Sequence, residues 1–257
     1  MGKKIDLNCD MGESFGAYHI GNDEALMGLV TSANIACGAH AGDPLVMDRT
    51  VRLAARHGVS IGAHPGFPDL AGFGRRAMQL TPEEVENTVL YQVGALAAFA
   101  RSAGSGLAHV KPHGALYNMA ARDIDVARAI ARGVARAGVD VIVVGLAGSV
   151  MIEAAREAGL RVAREGFADR AYEADGSLRS RKLEGAVIHD PETAAERAVQ
   201  IARDGVVTAC TGEEVPLQVD TLCVHGDTPG AIEIAKAIRR RLAEAGVEVV
   251  PLRCLAL

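Results

Sequence analysis

No window of this 257-residue chain approaches the ~18 consecutive apolar residues that a membrane-spanning helix needs, so no membrane span is expected. Cysteine is sparse and irregularly placed: Cys9, Cys37, Cys210, Cys223 and Cys254 form no C-x-x-C pair. An odd count without metal-like spacing reads as reduced thiols in a reducing compartment. Positive charge is in short supply too, with a formal net charge of -5. The one dense basic run, Arg239-Arg240-Arg241, falls in a helical pattern and reads as a solvated face, so a nucleic-acid partner is not expected. Lys3 and Lys4 lead straight into Ile5-Asp6-Leu7-Asn8, with no apolar leader or cleavage site, which makes the cytoplasm the expected location. The chain also lacks a Pro/Gly/Ser-rich linker and any repeat of solenoid period, so one domain over residues 1–257 is expected. There is no G-x-x-x-x-G-K-[ST] and no H-E-x-x-H. The segment from Gly62 to Gly74 is glycine-rich but has neither the P-loop lysine nor the Rossmann spacing, so a nucleotide site would be unconventional or shared with another chain.

What the chain does have is alternation. Hydrophobic residues make up 49% and charged residues 23%, enough for a sizeable core. Short apolar runs predict strands at Lys4–Cys9, Val30–Cys37, Val59–His64, Leu107–Lys111, Val139–Gly145, Leu160–Glu165, Thr221–His225 and Val247–Leu252. Between them, helices are predicted at Asp23–Gly28, Pro44–His57, Pro82–Ala103, Ile124–Ala137, Gly148–Ala158, Pro191–Arg203 and Gly230–Ala245. Strand then helix, repeated about seven times, implies a mostly parallel sheet with right-handed crossovers. Thr81-Pro82-Glu83-Glu84 reads as a capping box, and Asp43-Pro44, Asp190-Pro191 and Thr228-Pro229 repeat the cap-then-proline start. The charged stretch Asp169 to Glu184 reads as an excursion over the barrel end, and Val207 to Asp220 as a hairpin-like insertion.

The polar residues cluster at the predicted strand ends. Asn8 and Asp10 lie at the end of strand one, with Glu13 just beyond; His40 and Asp43 follow strand two; His64 ends strand three. His109 and Lys111 lie in strand four, with His113 just beyond; Glu165 ends strand six; His225 and Asp227 end strand seven. Parallel strands deliver their C-terminal ends to one rim, where such barrels keep their chemistry. Lys111, one of only five lysines, sits in an apolar strand, and a buried ammonium must face an acid or an anionic ligand. Asp43 reads as a helix cap, and His57 as a partner for a helix C-terminus. Two chemistries fit this set. One is a divalent metal held by Asp10, His64 and either His113 or His225. The other is metal-free, with a carboxylate and a histidine as base and acid and Lys111 stabilising developing charge.

The segments Asp6-Leu7-Asn8-Cys9-Asp10-Met11-Gly12-Glu13-Ser14, Ser32 to Pro44, Gly62-Ala63-His64-Pro65-Gly66-Phe67-Pro68-Asp69, Val110 to Asn118, Glu165 to Tyr172 and Val224-His225-Gly226-Asp227 together resemble the LamB/YcsF family, in order and over nearly the whole chain. The resemblance implies a seven-stranded (β/α) barrel like those of glycoside hydrolases and polysaccharide deacetylases. It implies ATP-dependent hydrolysis of 5-oxoproline to glutamate, as the A subunit of a 5-oxoprolinase with subunits B and C. Self-association into a homo-oligomer stays open. Deacetylase relatives hold a metal with an Asp and two His, and Asp10 and His64 match two of these in kind and place. The expected catalytic residues are Asp10, His64, Lys111 and His113. Substrate contacts are expected from Asn8, Glu13, His40, Arg75, Glu165, Arg170, His225 and Asp227, with Arg75 or Arg170 on a carboxylate or phosphate. Two alternatives remain: a metal-dependent amide or N-acetyl hydrolase of a small metabolite or sugar, and a non-catalytic substrate-binding subunit.

Overall fold

The computed structural model describes residues 2–226 and 230–257. Seven parallel strands close into a ring: β1 (Lys4–Met11), β2 (Ser32–Ala36), β3 (Ser60–His64), β4 (Leu107–Val110), β5 (Ile142–Leu146), β6 (Arg161–Phe167) and β9 (Thr221–Val224), with β9 pairing back onto β1. Around them run α1 (Asp23–Met27), α2 (Pro44–His57), α3 (Pro82–Ser102), α4 (Gly114–Ala120), α5 (Ile124–Arg136), α6 (Val150–Glu157), α7 (Pro191–Val199) and α8 (Ala231–Glu244). A hairpin of β7 (Val206–Thr208) and β8 (Glu214–Pro216) intervenes before the seventh barrel strand, where the sequence pattern placed an insertion.

The helix starts are fixed locally. Asp43 accepts hydrogen bonds from the Leu45 and Val46 amides, and Thr81 and Glu84 cap reciprocally, so both first turns have partners for their free N–H groups. No helix of the described residues is long and apolar enough to cross a membrane.

The expected elements differ from the structure in three places. The eighth candidate strand is not a barrel stave: β10 (Glu248–Val249) pairs only with Lys4 and Ile5 of β1. Pro251, which has no N–H for a ladder, then turns the chain into a 3₁₀ turn over Leu252–Cys254. Leu252 packs on Ile142, Val144 and Ala163, and the Arg253 guanidinium donates to the Leu107 carbonyl, so the C-terminal segment closes the barrel floor. The α4 helix was not expected, because its seven residues begin with glycine and show no full apolar period. Finally, α7 stops at Val199 and continues as a π-helical turn through Asp204.

Strand β1 shows how the barrel is filled. Ile5, Leu7, Cys9 and Met11 are buried in the layer between strands and helices, where each large side chain stabilises by about 1.5–3 kcal/mol. Their neighbours Asp6, Asn8 and Asp10 point into the barrel, because successive strand residues face opposite sides. The lumen is therefore a polar column. Asp6 accepts hydrogen bonds from Ser32 (2.6 Å) and Thr221 (2.6 Å), and Asn34 Nδ2 donates to Asn8 Oδ1 (2.7 Å) and Asp10 Oδ1 (2.8 Å). His109 fills the middle of the lumen, 2.7 Å from Asn34 Oδ1. It fits only because β3 carries glycine at 62, where a Cβ would lie 2.0 Å from its ring.

Candidate active site

The column ends at the mouth in a buried ammonium. Lys111 is 3% exposed; its Nζ lies 2.9 Å from Asp10 Oδ1, 2.9 Å from Glu165 Oε1, 3.2 Å from Asn8 Oδ1 and 3.1 Å from Cys223 Sγ. Burial works against that charge, but Asp10, Cys223 and Glu165 outweigh it and hold the ammonium well above its ordinary pKa. For Asp10, burial would raise the carboxyl; the His64 ring and Lys111 outweigh it and hold it well below the carboxylate range. Glu165 is pinned further by the Tyr117 hydroxyl, which donates to Oε2 at 2.6 Å. Lys111 has three protons and four partners inside the protein. It holds the acids in place, the first of the two partners, an acid or an anionic ligand, read from its strand position.

Three histidines stand beside Asp10. His64 Nε2 is 3.4 Å from Asp10 Oδ2 and 3.0 Å from His113 Nδ1. His40 stacks flat on His113, with ring centroids 3.7 Å apart, and Glu13 Oε1 lies 3.6 Å from His40 Nε2. Burial, then the neighbouring His64, push His113 down to about 3.

On the opposite side, His225 Nδ1 is 2.8 Å from Asp169 Oδ2 and its ring lies over Phe167 (5.7 Å, 20°). Asp169 is 1% exposed; burial would raise its carboxyl, but His225 outweighs this and keeps it ionised. A carboxylate can only accept, so Nδ1 carries the proton and Nε2 is left as the working nitrogen. This pairing of an oriented imidazole with a buried carboxylate is the geometry of a general acid–base.

A cavity of about 450 Å³ opens above these groups, within the usual range for small-molecule sites. Its lining includes Asp10, His64, Lys111, His113 and His225, all expected there. Asn8 and Glu165 lie one layer deeper, within the Lys111 network, and Glu13 and His40 back onto His113. Arg75 and Arg170 reach the lining; Asp227 lies outside the described residues. Much of Arg170 is spent on structure, since it donates to the Ala186 (3.1 Å) and Arg179 (2.6 Å) carbonyls and so pins the excursion after β6. Asp169 was overlooked as a site residue, as were the cations Arg122, Arg179, Arg181 and Lys182 along the mouth. The signal available was the excess of charge between 169 and 184, which marks an excursion but not which way it folds. Among the described residues, seven cationic side chains line the cavity against one carboxylate, Asp10, although the chain as a whole is acidic.

Comparison with known proteins follows the same lines. Residues 5–256 match the model of the LamB/YcsF family. A protein of Pyrococcus furiosus named as the A subunit of 5-oxoprolinase is 58% identical over 249 residues, which is 97% of this chain and 98% of that one. The crystal structure of a lactam utilization protein from Thermus thermophilus superposes with a TM-score of 0.91 at 53% identity, covering 96% of this chain and 99% of that one. A family 4 carbohydrate esterase from Streptomyces lividans shares the barrel at a TM-score of 0.50 and 10% identity, covering 96% and 91%, a likeness of fold alone. The chain belongs to the LamB/YcsF family.

Proposed function

We propose that this chain is the ring-opening component of a 5-oxoprolinase assembly, working with subunits B and C and consuming ATP as co-substrate. The observation that carries the reading is the His225–Asp169 pair, set across an electropositive cavity from the Asp10–Lys111 network. The relatives named as the A subunit of 5-oxoprolinase, similar over nearly their whole length, support the substrate class.

A five-membered lactam is resonance-stabilised and a poor electrophile. Phosphoryl transfer from ATP to the amide oxygen makes the ring carbon attackable. A first water then bonds to that carbon, giving its proton to His225 Nε2, and the C–N bond breaks as the imidazolium protonates the departing nitrogen. This leaves an acyl phosphate, which a second water hydrolyses to glutamate and phosphate. The rim cations Arg75, Arg122, Arg181 and Lys182 hold the carboxylate and phosphoryl groups, while Lys111 positions Asp10 beside the attacked carbon.

The test is glutamate release from 5-oxoproline by the chain with and without B and C. Release that requires ATP and falls by roughly 10²–10⁴ in His225→Asn supports the reading; no release in any combination overturns it. A metal-dependent amide hydrolase is the second reading, favoured by the three clustered histidines, and amide cleavage without ATP would replace the first.

A further inference from the structure

The turn from β5 into α6 carries donors without acceptors. β5 ends at Leu146, and α6 begins at Val150 after Ala147, Gly148 and Ser149. Ser149 stands at the N-cap with extended backbone (φ -86°, ψ 155°), the position from which a serine oxygen ordinarily accepts from its own first turn. Here it makes no such bond. Ser149 is 7% exposed, and its Oγ is buried with no hydrogen-bond partner, a state that native proteins seldom tolerate in a hydroxyl. The Gly148 and Met151 amides likewise donate to no protein group among the described residues, as the free N–H groups of a helix start can.

Gly148 and Ser149 line a second cavity, of about 460 Å³. It adjoins the first along Ala121, Arg122, Leu146 and Ser177, which line both. Its two arginines differ in what they have left to give. Arg164 is committed, since its Nε and Nη2 each donate to Asp220 at 2.8 Å. Arg122 is exposed and sits on the seam between the two cavities. Asp175, also on the lining, offsets part of the Arg122 charge, but its Oδ1 is taken by the Ser177 amide at 2.8 Å. Glu153, the acid of the first α6 turn, is exposed and lies off the lining. We propose that this second cavity binds a phosphate group at the N-terminus of α6, held by Ser149 Oγ, the Gly148 amide and Arg122.

The donor set decides for an anion. Amide N–H groups, a hydroxyl and a guanidinium all donate, and the helix dipole adds partial positive charge at the same end. A phosphate oxygen accepts several such bonds at once, each strengthened by its charge. The backbone turn serves the same end. Gly148 takes φ 77°, a conformation that side chains disfavour, while a Cβ there would meet nothing within 4 Å. The glycine is therefore required by the turn rather than by crowding, and the approach to its amide stays open. The chain has no P-loop lysine, but this turn assembles the same kind of donors at the end of a barrel strand. The phosphate is either the free ion or a phosphoryl group carried on a nucleotide.

Phosphate binding is measured without turnover, so this inference goes beyond the lactam reading and stands or falls apart from it. The full chain, labelled with ¹⁵N, is titrated with inorganic phosphate and, separately, with ATP, and amide shifts are followed. The expected result is saturable binding in which the Gly148, Ser149 and Met151 amides move most. Such shifts with phosphate alone would assign the site to the free ion, and shifts with ATP as well would assign it to a phosphoryl group on a nucleotide; both support the site. Ser149→Asp puts a carboxylate where the phosphate would sit yet keeps a favoured N-cap, so the melting temperature should hold while phosphate affinity falls by roughly tenfold or more. Ser149→Ala should weaken binding less, and Arg156→Gln, exposed at the far end of α6, should leave it unchanged. No saturable binding at millimolar phosphate, shifts confined to Arg75, Arg181 and Lys182 of the first cavity, or unaltered affinity in Ser149→Asp would each overturn it.

Discussion

Asp6 and Asp10 lie four residues apart on the same face of β1, at the floor and the mouth of one lumen, yet they behave in opposite ways. Asp6 is 0% exposed and hydrogen-bonded by Ser32, Thr221 and Thr31; burial outweighs those bonds and raises its pKa to about 6. Asp10 is held well below the carboxylate range because His64 and Lys111 overcome the same burial. Neutral hydroxyls support a carboxyl group without forcing it to ionise, whereas a nearby ammonium does force it. The floor is thus a structural polar layer, and the mouth is a charged device.

The most severe way to break this contrast is Lys111→Met, which strips the mouth of its internal cation. Asp10 and Glu165 would then share a buried space without compensation, at a cost of about 3–5 kcal/mol. Urea unfolding of the variant should show that loss, and activity of the assembly should vanish with it. An unchanged midpoint would mean that the ammonium is not what holds the two acids. Next in size is Asp169→Asn, which removes the negative charge and offers His225 Nδ1 an NH2 donor as well as an acceptor, so the tautomer is no longer fixed. We expect turnover to fall by about 10²–10⁴ with the melting temperature nearly kept; a fall in substrate affinity alone would make His225 a binding residue. Smaller again is Lys182→Ala together with Arg181→Ala at the rim. The pair should raise KM about tenfold at low salt with kcat largely retained, and added salt should erase the difference.

The smallest effect is expected at the floor. A raised folded pKa means that the contribution of Asp6 is complete below its unfolded value of 3.8 and is lost as pH rises through about 6. Buried His109 works in the opposite direction. Burial lowers it to about 3, so its contribution is complete above 6.5 and is lost as pH falls toward 3. The two slopes oppose each other between about pH 4 and 6, so melting curves of Asp6→Asn over that range should rise with pH more steeply than those of the unaltered chain. A pH profile identical to that of the unaltered chain would place the raised carboxyl elsewhere.

Much of this was legible in the residues. Alternating apolar runs and capped helices predicted a mostly parallel sheet with helices between its strands, because periodicity and cap chemistry are local, and the family resemblance implied its closure into a barrel. The rule that parallel strands share one rim brought Asp10, His64, Lys111, His113 and His225 to a single cavity. The missing pieces were all long-range. Asp169 lies 56 residues from the His225 ring it orients, and no spacing rule connects them. The cations at 179–182 join the site only because Arg170 ties their loop down over the mouth.

The sequence by itself determined which side chains face the lumen, since a strand alternates sides whatever surrounds it. It also determined where the helices begin, since capping residues act within one turn. Tertiary structure alone decided which buried groups carry charge. Whether a carboxyl at the centre of the barrel is neutral or ionised depends on a lysine more than a hundred residues away, and that distance closes only when the ring of strands does.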